Sequence, residues 1–146
     1  MSSSTQRGGC QCGAIRYEIK GEPVVLYRCH CTECQTQSGS GFGMSMWVRG
    51  GDFQITQGTP KSTVRVADSG REIQGEFCGD CGTRLFGKSS MLEADYVILK
   101  PGTLDDATDL KPQADIWLQS KQSWFTAPET TEHFQGQPDF VEWLKP

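Results

Sequence analysis

Seven cysteines stand in three tight groups: Cys10 with Cys12, Cys29 with Cys31 and Cys34, and Cys78 with Cys81. Thiolates so close along a chain grip one soft metal ion around a tight turn more readily than they bond each other. Zinc chemistry divides seven sulfurs as four plus three: four close a structural site, and three leave a corner for water or substrate. Spacing alone does not assign the partners. The C-x-C-x2-C group nonetheless puts three sulfurs on one short loop, a local tripod. The two-sulfur groups, flanked by Gly8, Gly9 and Gly13 and by Gly79 and Gly82, would then pair across the fold. The economical partition is a closed Zn²⁺ site of Cys10, Cys12, Cys78 and Cys81 and an open, more labile Zn²⁺ site of Cys29, Cys31 and Cys34. Three other uses of the sulfurs compete. A disulfide framework leaves one cysteine over and needs an oxidising compartment, a redox pair at Cys78 and Cys81 lacks a βαβ setting, and an iron–sulfur cluster takes thiolates alone.

Short strands must position these groups. Ala14–Ile19, Gly43–Val48, Ser62–Val66 and Tyr96–Leu99 alternate apolar and polar residues and are rich in β-branched and aromatic types. Seventeen glycines and seven prolines supply the turns between them. Gly50-Gly51 predicts a hairpin break ahead of Phe53–Thr56. Thr32–Ser38 has room for one or two helical turns. Pro138–Leu144 predicts a helix that groups Phe140, Val141 and Leu144. The fold class is mainly β, with cysteine knuckles at strand ends. Cys78-Gly-Asp-Cys81 forms a hairpin tip, with Gly79 and Gly82 taking positive φ. At 146 residues the chain predicts a flexible lead-in over residues 1–7 and a single domain over 8–146.

A net charge of −4 with scattered lysines and arginines offers no basic stripe for nucleic acid. No apolar run is long enough to span a bilayer, and no leader-like segment opens the chain. The expected compartment is the reducing cytoplasm, where thiols persist.

GGCQCGAIRYEI, CHCTECQTQSGSGF, GEFCGDCGTRLF and DIWLQSKQSWF together resemble the glutathione-dependent formaldehyde-activating family, which includes centromere-protein-V-like domains. The resemblance runs from about Gly8 to Phe125. It implies a β-tent-like zinc-binding fold, with the closed zinc on the C-x-C and C-x2-C pairs and the catalytic zinc on Cys29, Cys31 and Cys34. The activity it implies is a carbon–sulfur lyase reaction, the reversible joining of glutathione and formaldehyde as S-(hydroxymethyl)glutathione. Gln35 departs from the pattern, standing where many relatives carry a basic residue.

A zinc held by three thiolates is a weak Lewis acid and is better suited to holding a substrate thiol as thiolate than to polarising a carbonyl. The expected partner is therefore a small thiol such as glutathione. His30, between two ligands, should point away from the metal into a supporting role, with proton transfer the alternative. Ser38 and Ser40 fit a turn or pocket donors, and Trp117 and Trp124 fit core packing or a pocket wall. Arg71 and Arg84 are surface residues or contacts for a substrate carboxylate, while His133 has no neighbours that suggest a site. A zinc-stabilised binding module without turnover and a thiol or redox sensor are the rival functions.

Overall fold

The structure is a computed structural model that describes residues 4–67, 70–89 and 95–144. Its elements in chain order are β1 (Thr5–Gly9), β2 (Arg16–Lys20), β3 (Val25–Cys29), α1 (Thr32–Ser38), β4 (Gly43–Arg49), β5 (Phe53–Gln57), β6 (Lys61–Val66), β7 (Glu72–Phe77), β8 (Arg84–Ser89), β9 (Tyr96–Leu99), β10 (Ala114–Ile116), β11 (Glu132–His133) and α2 (Phe140–Trp143). The mainly β class expected from the alternating stretches is the one observed. A three-stranded sheet runs β1-β2-β5, and an eight-stranded sheet runs β11-β10-β3-β4-β9-β8-β7-β6. All pairs are antiparallel except β10 with β3 and β10 with β11, so the larger sheet is mixed. No helix among the described residues is long and apolar enough to cross a membrane.

Four local expectations need correction. The lead-in over residues 1–7 is structured from Thr5, because Thr5–Gly9 pairs along the whole of β2. Gly50-Gly51 does turn the chain, but not into a hairpin. A single 3₁₀ turn at Gly50–Asp52 carries the chain from one sheet to the other, and β5 pairs with β2 rather than with β4. The C-terminal helix is shorter than Pro138–Leu144, starting at Phe140 with Asp139 as N-cap and its Oδ1 accepting from the Glu142 amide at 3.2 Å. Val141 is exposed and takes no part in the apolar group. At the hairpin tip only Gly82 takes a positive φ, +81°; Gly79 instead lies hard against the Lys61 side chain.

Strand alternation splits the buried residues between the two faces of the larger sheet. Leu26, Met46, Val48, Phe86, Val97 and Leu99 face the small sheet and meet Ile15, Tyr17 and Ile19. Tyr17 also donates or accepts at 2.6 Å with Thr103 Oγ1, tying the small sheet to the turn after β9. Val25, Tyr27, Cys29 and Trp47 occupy the opposite face, with Ala114, Ile116 and Phe140. There the Trp47 ring stacks on Phe140 at 4.8 Å, and its Nε1 donates to the Tyr27 hydroxyl at 3.0 Å.

Phe140 is thus the plug that docks α2. Phe140→Ala should cost about 3 kcal/mol of unfolding free energy, read as a lowered urea midpoint. Val141→Ala on the exposed side should stay within about 0.5 kcal/mol.

Candidate metal and thiol centre

The seven sulfurs gather into the two groups expected from economy of ligands. Within each of the sets Cys10, Cys12, Cys78, Cys81 and Cys29, Cys31, Cys34, every Sγ lies within 4.8 Å of the others. All seven cysteines are free thiols.

Two knuckles of like construction build the four-sulfur centre. Cys10 N donates to Ile15 O at 3.1 Å and Gly13 N to Cys10 O at 3.1 Å; in the β7–β8 hairpin Cys78 N donates to Thr83 O at 2.9 Å and Gly82 N to Cys78 O at 2.8 Å. Each loop also aims an amide at sulfur, Ile15 N at Cys10 Sγ (3.2 Å) and Asp80 N at Cys78 Sγ (3.4 Å). Gln11 N donates to Thr83 Oγ1 at 3.1 Å and so laces one loop to the other. The Thr83 hydroxyl, 3.2 Å from Cys81 Sγ, is the main cause holding that thiol down to about 5. The Sγ separations of 3.6 Å (Cys10–Cys12) and 3.8 Å (Cys12–Cys78) match the edge of about 3.8 Å expected for a tetrahedron with metal–sulfur bonds of about 2.3 Å. Four sulfurs at that spacing fit one divalent soft cation.

A strand end and a helix start build the three-sulfur centre. Cys29 closes β3 and is buried, Cys31 is the N-cap of α1, and Cys34 lies in the first helical turn. Cys34 N donates to Cys31 Sγ at 3.3 Å. Hydrogen bonds from the Cys29 and Cys34 thiols pull the Cys31 thiol down to about 2, while the same sharing drives Cys29 far up. Gly43, paired with Cys29, lies directly beneath Cys34, where an added methyl would be 3.7 Å from Cys34 Sγ.

His30 points away from the sulfurs, as strand parity requires: Cys29 faces one side, Arg28 and His30 the other. It has no exposed surface and cannot reach a substrate. Its Nε2 lies 2.9 Å from Asp115 Oδ1, and its ring packs between Phe42 and Phe125. Asp115, equally buried, also accepts from Arg28 Nε (2.6 Å), Arg28 Nη2 (2.9 Å) and Thr131 Oγ1 (2.7 Å). Burial opposes its charge, but the Arg28, His30 and Thr131 contacts prevail and hold it at about 2. Asp115 was not among the residues singled out above, although an acid inside the apolar triplet of β10 is its signature.

Gln35 has a positioning part: its Nε2 donates to His30 O at 2.8 Å and to Ser120 O at 2.9 Å, fastening α1 to the segment after β10. A polar recess of about 500 Å³ opens beside it, lined by Gln35, Thr36, Gly39, Ser40, Gly41 and Gln122. Ser38 only closes the turn, its hydroxyl donating to Phe42 O at 3.2 Å. Trp117 is partly buried against the second core. Trp124 is not a core residue: it is 66% exposed, edge-on to Phe125 and against Gly41. His133 is exposed, bonded to Pro128 O at 2.8 Å, and joins neither centre. Arg84 is half-buried rather than a surface residue, and its Nε is enclosed.

Residues 5–120 match the family described as glutathione-dependent formaldehyde-activating enzyme. A protein of Penicillium rubens named as a putative glutathione-dependent formaldehyde-activating enzyme is 32% identical over 81 residues, which cover 54% of this chain and 41% of that relative. The chain therefore spans less than half of that relative's length. The crystal structure of a Rhodobacter sphaeroides protein superposes with a TM-score of 0.53 at 19% identity, covering 73% of this chain and 91% of that one, which establishes a shared fold.

Asp115→Ala strips the Arg28 guanidinium and the buried His30 ring of their common partner. Unfolding free energy should fall by about 3–5 kcal/mol, seen as an early denaturation midpoint, with Asp115→Asn retaining part of the loss because an amide oxygen still accepts.

Proposed function

This chain belongs to the glutathione-dependent formaldehyde-activating enzyme family, and we propose that it acts as a zinc-dependent carbon–sulfur lyase on a small thiol adduct such as S-(hydroxymethyl)glutathione. One observation carries the proposal: three sulfurs converge and no fourth histidine, cysteine or carboxylate among the described residues joins them. The four-sulfur set, by contrast, has its full complement for a structural ion. The donor chemistry of both sets suits Zn²⁺. At the three-sulfur set the ion would offer one exchangeable corner, where a substrate's sulfur is favoured as thiolate.

The chain's own part is to hold and to exclude. In the joining direction a carbon–sulfur bond forms between the thiol and the aldehyde carbon, and the proton lost from sulfur ends on the former carbonyl oxygen. The reverse breaks that bond and returns the proton. Cys29, Cys31 and Cys34 are fixed by strand pairing, by the helix cap and by the Gln35 bonds, so the open corner is preorganised rather than recruited. Their buried and half-buried positions limit water around the reacting sulfur. His30, sealed behind the sheet, orients the loop and carries no substrate proton. Free thiols at all seven positions suit a reducing compartment, and the cytoplasm is where we place the work.

Elemental analysis of freshly reduced protein should find two zinc ions per chain, one of them exchangeable and perturbed by glutathione. Two inert ions indifferent to thiols would overturn the lyase reading in favour of a non-catalytic binding module. Two substitutions separate the centres. Cys31→Ser should leave a folded chain with one zinc fewer and no release of formaldehyde from S-(hydroxymethyl)glutathione. Cys81→Ser should fail to fold, because a structural zinc supplies folding free energy directly.

A further inference from the structure

The face of the larger sheet that carries Cys29 also carries two cations that no anion among the described residues pairs with. Register brings them there. Cys29 pairs with Gly43 and Tyr27 with Ser45. Leu99 pairs with Met46, so the next step along the same antiparallel ladder sets Lys100 beside Ser45, on the Cys29 face. Lys100 is half-buried, and its ammonium lies within electrostatic reach of the Cys34, Cys29 and Cys31 sulfurs.

Arg84 arrives from the other side. Gly75 pairs with Gly87, Gly87 with Ile98, and Ile98 with Trp47, a row that stays on this same face. The Arg84 guanidinium lies flat across Gly75, in the space any side chain at that position would fill, its Nε, Cζ and Nη2 all overlapping the place of an added methyl. Position 75 therefore has to be glycine for the guanidinium to lie where it does. From there Arg84 feels the charge of Cys34, and Lys100 feels that of Arg84.

Among the described residues neither cation is neutralised by a direct contact. Arg84 Nε is buried with no hydrogen-bond partner. Among the described residues neither side chain forms an ion pair. Glu76, the carboxylate whose charge Arg84 senses, is occupied by Ser62 Oγ at 2.6 Å and Gln74 Nε2 at 2.8 Å. Arg65, whose charge also reaches Arg84, is turned outward to Glu33 of α1 at 3.9 Å. Like charges held together, with a buried guanidinium nitrogen left over, are unfavourable until an anion fills the gap. Sulfur could balance the charge, but thiolates committed to a metal make poor partners for a planar fork. A carboxylate matches that fork with two parallel hydrogen bonds.

We propose that Arg84 and Lys100 form a carboxylate seat beside Cys29, Cys31 and Cys34, so that the substrates of this centre are thiols bearing a carboxylate on the same small molecule. The proposal rests on the thiol-binding reading above and narrows it. The cations of the seat come from β8 and from the residue that follows β9.

The test is calorimetric titration of the zinc-loaded full chain with two probes, 3-mercaptopropionate and the uncharged 2-mercaptoethanol. The seat predicts that the anionic thiol binds at least about tenfold more tightly, and that added sodium chloride erodes its affinity and not that of the neutral thiol. Arg84→Gln and Lys100→Gln should each remove most of the preference with zinc content and circular dichroism unchanged. Gly75→Ala should do the same while keeping every charge, by pushing the guanidinium aside. Equal affinity for the two probes in the native chain, or an equal loss for both in the variants, overturns the seat while leaving thiol binding intact. If neither probe binds, the thiol site falls and the seat with it. Should Arg84→Gln fail to fold, Lys100→Gln and the salt dependence of the native chain decide between the same outcomes.

Discussion

A carboxylate without exposed surface holds the end of β3 in place. Asp115 takes two hydrogen bonds from Arg28, one from Thr131 and a contact from His30, and these contacts outweigh the cost of burying its charge. The two cationic or ring-bearing partners alternate with the cysteines along the same short stretch. Fixing Arg28 and His30 on one side of the sheet fixes Cys29 and Cys31 on the other. Phe42 and Phe125 complete the arrangement, packing on His30 and lying 5.9 and 5.4 Å from the Arg28 guanidinium carbon. The sulfur tripod is therefore held from behind, by groups that never approach it.

The two sulfur centres differ in what they join. The four-sulfur set links the β1–β2 connection of the small sheet to the β7–β8 hairpin of the large one, with Cys12 and Cys78 66 positions apart in sequence. Its supports are backbone amides and a threonine hydroxyl from the two loops themselves. The three-sulfur set joins nothing distant; it is built within Cys29–Cys34 and stands on one face of one sheet. A fastening and an opening call for these opposite constructions. The first gains from spanning elements, and the second gains from being rigid while leaving one direction free.

The parts legible in the sequence are those written in neighbouring residues. Ligand spacing, the helical turns after Cys31 and the strand at Tyr96–Leu99 all depend on a few adjacent positions, and each stands where the pattern places it. The position of His30 was readable too, because a two-residue period needs no tertiary information. What could not be read is pairing at a distance. Gly50-Gly51 announces a turn, but nothing in two glycines says that the next strand will join the other sheet. Asp115 is one aspartate among many until β10 is laid parallel to β3 and brings it against Arg28. Arg84 passes for a surface residue until Gly75, nine positions earlier, is seen to have been cleared for it.

The Arg28–Asp115 pairing spans 87 residues and the His30–Asp115 contact 85, and that separation sets an order of events during synthesis. The cysteine loop is made well before the strand that braces it, which leaves the ribosome only after the long intervening segment. Closing so long a segment is slow relative to forming the local hairpin of β7 and β8. The nascent chain thus carries three competent thiols on an unbraced loop until β10 emerges. The loop precedes its brace in synthesis, and any ion it captures before β10 arrives is held by the loop alone.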